Sequence, residues 1–364
     1  MQAKKWVSGF VFGALVASCA FANEEPVLNV YNWADYFGAT TLQKFEKETG
    51  IKVRYDKYDS NEALQAKLLS GNSGYDLVFP SSQFFARQVK AGVFYKLDKA
   101  KLPNLKNLDA GVLAQLSALD AGNQFGMPYA QGTNGITINV EKVNKALGGK
   151  LPADPLALVF DPQYASKLSS CGISFFDSAS EMYTLAFSYM GKDLATATDT
   201  DLKAAEGMLK KIRPYVRKFI GIPTQQMASG EFCVAMDYSG DAGLAASQAK
   251  AAKNGVNIAY LTPKQHTPFW IDMMAIPKDA KHPENAQKFM NFLMKPEIIS
   301  ELTHDIFYAT PNTKTAPFLT TELRNNTAIF PTPEMKKQFV LVKPLAPEQQ
   351  RKLIASFNVF KTSK

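Results

Sequence analysis

Between Val27 and Phe79 the chain alternates strand-like and helix-like segments, and that order leaves few folds open. Val27 to Tyr31 is β-branched and aromatic, and Thr40 to Glu48 follows with Leu42 and Phe45 facing inward until Gly50 stops it. Ile51 to Tyr58 alternates as a second strand. Asp59-x-x-Glu62 reads as a capping box opening a helix through Leu69, which Gly71 ends. Tyr75-Asp76-Leu77-Val78-Phe79 is a short, nearly continuous apolar run, as expected of a strand covered on both faces, and Pro80 and Ser81 terminate it. Strand, helix, strand, helix, strand implies a parallel sheet with right-handed crossovers, hence an α/β lobe.

Past Gly148-Gly149 and the prolines at 152, 155 and 162 the alternation resumes. Strands are expected at Cys171 to Phe176, Phe232 to Met236, Val256 to Leu261 and Trp270 to Ile276. Helices are expected at Glu181 to Met190, Leu202 to Ile212, Asp241 to Lys253, Pro283 to Met294 and Pro296 to Thr303. Periodicity thus gives two α/β units, and 364 residues at 46% hydrophobic suffice for two cores. It does not say which strand joins which sheet.

The first residues read differently. Lys4 and Lys5 precede an apolar stretch from Trp6 to Ala17, and Ala20-Phe21-Ala22 fits the small-x-small rule, so residues 1–22 read as a secretory signal removed after Ala22. Val16-Ala17-Ser18-Cys19 also resembles a lipoprotein box that would leave Cys19 lipidated. Simple export is preferred, because Val27 already begins a strand and the tether would be short. Processing lowers the net charge from +8 to +6, and the basic residues scatter over helix faces without interleaved aromatics, which argues against nucleic-acid binding. Cys171 and Cys233 remain. In an oxidising compartment an even pair usually bonds, and a catalytic thiol would need a base that His266, His282 and His304 do not supply in any recognisable pairing.

Three times an acid and an aromatic sit together near a strand end: Trp33, Asp35 and Tyr36; Tyr238 and Asp241; Trp270 and Asp272. Ring faces attract ammonium groups and carboxylates neutralise them, so such pairs suit a cationic ligand with an apolar body. One pair would mean little, since aromatics fill cores and acids cap helices. Three at separate strand ends point to a site, because ligands of open α/β sheets collect beyond the strand carboxyl ends.

The segments YNWADYF, TGIKVRYDKYDSNEALQAKL, GYDLVFPS, AGVFYKLDKAKLPN, KLSSCGISFFD, GVNIAYLTPK, FWIDMMAIP, NFLMKPEI and FYATPN, in that order over nearly the whole processed chain, resemble the periplasmic polyamine receptors of bacterial ABC importers, closest to the putrescine-binding branch. The resemblance implies a type II periplasmic binding protein, with two α/β lobes and a ligand cleft between them. It places residues 27–130 and 251–300 in the first lobe, and residues 131–250 and 301–364 in the second. It also implies a Cys171–Cys233 disulfide, a monomer delivering its ligand to an inner-membrane permease, no cofactor or metal, and no enzymatic activity.

Carried over position by position, the family's pocket falls on Trp33, Asp35, Tyr36, Ser81, Glu181, Tyr238, Asp241, Trp270, Asp272 and Tyr308. Asp272 is expected at one ammonium, Asp35, Asp241 and Glu181 at the other, with the rings as a sleeve between. Each has a structural alternative: Tyr36 and Tyr308 as core aromatics, Ser81 as a helix cap, Glu181 as a first-turn dipole partner. Asp272 is hardest to explain structurally, because an acid inside an apolar strand is costly without a partner. Some positions depart from the putrescine-receptor pattern. Tyr238 stands where Trp is usual, Ala34 where Ser or Thr is usual, and Trp270 where the putrescine branch has Phe and the spermidine branch Trp. Asp241 keeps the putrescine-like form, and Ser178 lacks the carboxylate that spermidine receptors place nearby. Putrescine ranks first and spermidine second. The rivals are an enzyme on the same scaffold with Cys171 or Cys233 as nucleophile, and a receptor for iron or an amino acid. Iron would call for clustered tyrosines and an amino acid for an arginine, and neither accounts for the acid-aromatic pairs.

Overall fold

The computed structural model describes residues 24–34 and 36–363. The signal segment, Cys19 and Asp35 lie outside the described residues.

Ten strands order the described residues. The first sheet runs β2 (Lys52–Tyr58), β1 (Val27–Trp33), β3 (Leu77–Val78), β9 (Thr267–Ala275), then the first half of β4 (Gly126–Asn139), with β10 (Phe339–Leu341) pairing the start of β9. The second half of β4 pairs with β7 (Val234–Tyr238) on one side and β8 (Ile258–Leu261) on the other, and β5 (Ile173–Phe175) and β6 (Val216–Phe219) extend that sheet beyond β7. β1, β2 and β3 are mutually parallel, as the opening alternation requires, while β9 runs antiparallel to β3 and β4. Two cores follow. One holds Leu28, Phe79, Tyr129 and Met290, and the other holds Ile136, Phe175, Tyr183 and Met236.

The element that joins them, β4, is absent from the sequence reading. Its run GMPYAQGTNGITIN carries three glycines and a proline, which weaken any strand signal. It pairs with β9 through Thr133 and with β7 from Asn134, with a register shift between Pro128 and Ala130. One strand therefore spans both lobes.

Two lobe assignments differ from those the resemblance implies. Residues 251–261, placed in the first lobe by resemblance, stay in the second, because β8 pairs with Ile136 to Asn139. Residues 301–329, placed in the second, stay in the first: Leu302, Ile306 and Tyr308 pack with Leu28 and Phe289, because the helix Pro296–Ile306 continues the fold of its neighbour Pro283–Leu293. The last helix, Pro347–Thr362, returns to the second lobe, burying Leu353, Phe357 and Phe360 there. The cap of the second helix also differs, since Ser60 rather than Asp59 accepts from the Ala63 N–H of Asn61–Leu69.

The strand expected at Tyr75 to Phe79 is paired only over Leu77–Val78. The Asp76 N–H still donates to the Asn29 carbonyl, and its carboxylate accepts from Asn29 and from the backbone N–H groups of Lys281 and His282. The Phe79 carbonyl accepts from Trp33 Nε1 and the Tyr58 hydroxyl instead of from a strand.

Cys171 and Cys233 are bonded across the second lobe, 62 residues apart in sequence. Cross-linking removes loop-closure entropy from the unfolded chain, about 4 kcal/mol for a loop of this length on the chain-entropy estimate. The Cys171→Ser, Cys233→Ser double variant is expected to lose about 2–4 kcal/mol in urea titration. An unchanged midpoint would show that the bridge does not stabilise the fold.

Candidate functional site

Nine of the ten expected site residues line one cleft between the lobes, and the tenth, Asp35, lies outside the described residues. The cleft, about 490 Å³ counting its open mouth, is also lined by Ala34, Asn61, Ile222 and Ile306. Trp33 ends β1, and Tyr36 follows the turn after it. Trp270 and Asp272 alternate on β9. Tyr238 ends β7, and Asp241 sits in the first turn of the helix Ser239–Ala252 that follows. Glu181 occupies the first turn of Ala179–Tyr189, as a helix dipole favours, yet its side chain turns into the cleft. Ser81 stands at the N-cap of Ser82–Lys90 without capping it. Its hydroxyl accepts from Asn61 Nδ2 at 3.0 Å instead.

Asp272 is 3% exposed. Its Oδ2 accepts from the Tyr36 hydroxyl at 2.7 Å, while Oδ1 is buried with no hydrogen-bond partner. Burial pushes this carboxyl up to about 7, against the lowering effect of the Ser81 and Tyr36 hydroxyls. Glu181 accepts from Asn134 Nδ2 at 2.5 Å, and the Asn134 carbonyl in turn accepts from Trp270 Nε1 at 2.8 Å. Burial raises Glu181 to about 7 as well, and the charges of Glu62 and Asp272 add to the rise. Tyr308 donates to Asp241 Oδ2 at 2.7 Å, tying the first lobe to the second. Ser180 donates to Glu62 Oε1 at 2.8 Å across the same gap, so the lobes stand closed on each other.

The rings form a continuous wall. Trp270 meets Tyr308 edge-on at 5.4 Å and Tyr238 at 6.0 Å, and Tyr308 meets Tyr36 at 5.4 Å. Two glycines make room for it. A Cβ on Gly132 would stand 2.6 Å from the Trp270 ring, and one on Gly240 would stand 2.5 Å from Tyr308. Gly132→Ala is therefore expected to displace Trp270, costing about 1–3 kcal/mol of stability by overpacking. Thermal unfolding and ligand titration would check this, with a ligand affinity several-fold weaker as the second sign.

The sequence reading missed Asn134, which holds Glu181 and Trp270 in register, and Asn61, which holds Ser81. Asn134 lies on the unrecognised β4, between Gly132 and Gly135. Glycines inside a strand mark close approach of other groups, and that spacing was the available signal. Asp237, fully buried next to Tyr238, is a structural acid that accepts from Thr137 Oγ1 and the Tyr238 N–H.

Two α/β lobes, spanned by one long strand and closed over an acidic and aromatic cleft, have the build of a binding protein for a small solute. The model of the bacterial extracellular solute-binding proteins matches residues 40–332, and the chain belongs to that family. It is similar to the putrescine-binding periplasmic protein SpuD of Pseudomonas aeruginosa, 46% identical over 350 residues that cover 96% of this chain and 95% of that protein. It is 40% identical over 365 residues to the putrescine-binding periplasmic protein PotF of Escherichia coli, covering 99% of each. Among solved structures, the spermidine/putrescine ABC transporter substrate-binding protein PotD of Streptococcus pneumoniae aligns with a TM-score of 0.74 at 27% identity, covering 92% of this chain and 98% of that one.

Proposed function

We propose that this chain is a polyamine receptor, for putrescine first and spermidine second, that captures its ligand in the periplasm and passes it to an inner-membrane ABC importer. The observation that carries the reading is Asp272 Oδ1, an unpartnered carboxylate oxygen buried in a cleft walled by Trp270, Tyr308 and Tyr36. A buried carboxylate is costly unless a cation meets it, and an ammonium supplies both charge and hydrogen-bond donors. Asp272 would hold one ammonium of the diamine. Glu181 and Asp241, with Asp35, would hold the other, and the rings would enclose the methylenes, each adding about 0.5–2 kcal/mol.

Closure follows from the same electrostatics. Bringing the lobes together without ligand buries Glu181 and Asp272 where their ionised forms are disfavoured, by roughly 3–4 kcal/mol each for shifts of this size. A dication removes that penalty, so ligand favours the closed state through contacts available only there. The cysteines supply no nucleophile while they are bonded to each other, which weighs against the enzymatic rival. Export without a lipid anchor is supported by Glu24, whose carboxylate already accepts from the Glu284 and Asn285 N–H groups two residues after the expected cleavage point.

Calorimetry of the processed protein with putrescine, spermidine and a panel of amino acids tests the reading. Micromolar putrescine binding, about −8 kcal/mol, is expected. Binding of an amino acid with no response to any polyamine would overturn it.

A further inference from the structure

A second compartment, about 660 Å³ counting its open mouth, adjoins the cleft and shares Glu181 with it. Its chemistry is different. Gln83 and Arg87 stand one turn apart on the helix Ser82–Lys90, so they present neighbouring side chains to the compartment they both line. Gln83 is 6% exposed, and its Oε1 is buried with no hydrogen-bond partner. Arg87 stacks on Phe84, with its guanidinium 4.3 Å from the ring centroid, and donates through Nη1 to Gln350, but its Nε is also buried without a partner. One acceptor lacks a donor and one donor lacks an acceptor, on residues four apart along one helix. A buried donor or acceptor left unmet is costly, so a native site with both invites a group that meets both.

A secondary amide has one N–H and one carbonyl. A carboxylate would satisfy Arg87 alone, and the nearby charge of Glu62, which favours the cationic guanidinium, would oppose it. A further ammonium would satisfy Gln83 and be repelled by Arg87. From this pairing we infer that the second compartment accepts the neutral N-acyl end of an acylated polyamine, its amide N–H donating to Gln83 Oε1 and its carbonyl accepting from Arg87 Nε. The inference rests on the polyamine-receptor reading and extends its ligand class. Neither atom has accessible surface with the lobes together, so both side chains must turn toward the compartment as the acyl end enters.

Calorimetry with putrescine, spermidine and N1-acetylspermidine, on the wild type and on Gln83→Leu and Arg87→Met, tests it. The wild type is expected to bind the acetylated triamine within about tenfold of putrescine. Each variant is expected to weaken the acetylated ligand about tenfold or more, roughly 1.4 kcal/mol, and to leave putrescine within about twofold. If Arg87→Met does not fold, Gln83→Leu carries the test alone. A wild type that binds putrescine but not the acetylated ligand overturns the inference. So do variants that leave the acetylated ligand's affinity unchanged. A wild type that binds no polyamine overturns the receptor reading beneath it.

Discussion

Asp272→Asn is expected to lower putrescine affinity by about a hundredfold or more while leaving the unliganded protein folded and at least as stable. Truncating one partner of a buried, hydrogen-bonded charge pair costs about 2–5 kcal/mol, because the other charge is left buried and uncompensated. Here that other charge is the ligand's ammonium. Asparagine keeps the shape, and its carbonyl can still accept the Tyr36 hydroxyl that now reaches Oδ2. What it removes is a carboxylate that burial already disfavours in the empty, closed cleft. Loss of binding with retained stability is a combination that a purely structural Asp272 would not produce, since removing a structural partner would lower the unfolding midpoint too. Calorimetry and urea titration on the same preparation separate the two, and unchanged affinity would move the ammonium site elsewhere.

Putrescine binding to the closed, unliganded form is also expected to weaken between pH 8 and pH 6, by about a hundredfold when both acids titrate near 7. Glu181 and Asp272 are both raised to about 7 in the closed cleft, mainly by burial. The ligand's ammonium groups stay protonated throughout this range, as alkylamines do, so only the carboxyls titrate. A cation selects their ionised forms, and two protons must leave as it binds from below pH 7. Binding at pH 7 should release about one proton per ligand, approaching two at pH 6, which calorimetry in buffers of different ionisation enthalpy would read. The stability of the unliganded closed form runs the other way. These groups hold protons in the folded state that the unfolded chain releases at ordinary carboxylate pH. Stability therefore falls as pH rises from about 4 to 7, and ligand restores it above that. A flat affinity profile with no proton release would show that neither acid meets the ligand.

Much of the first lobe is legible in the sequence because its signals are local. The run from Val27 to Leu69 declares strand and helix by periodicity, and the structure follows it with ends shifted by a residue or two. The chain's crossings between lobes are not legible in that way. β4 depends on pairing with β9, β7 and β8, all more than 90 residues distant, and its glycines make room for Trp270 and Tyr260 rather than for a regular pleat. The assignment of β8 and of residues 301–329 to their lobes likewise rests on partners that no window of sequence contains.

In the cleft, Trp33, Tyr36, Tyr238, Asp241, Trp270 and Asp272 are legible from their pairing at strand ends, while Glu181 and Tyr308 come only from the family resemblance. The residues that hold them are legible in neither way. Asn134 and Asn61 act by fixing Glu181, Trp270 and Ser81, and a lone asparagine gives no sign of such a task until its neighbours are in place. Ser81 shows the converse. Its position is that of a helix cap, but the hydroxyl is taken by Asn61 and turned toward the acid of β9.

The central claim is that the cleft acids grip the amino ends of a polyamine and the rings enclose its carbon chain. A crystal structure of the putrescine complex tests it most directly. It should place one nitrogen about 2.7–3 Å from Asp272 Oδ1, the other beside Glu181 or Asp241, and the methylenes against Trp270 and Tyr308. Putrescine bound away from these side chains, or a cleft that stays empty at saturating putrescine, would contradict it.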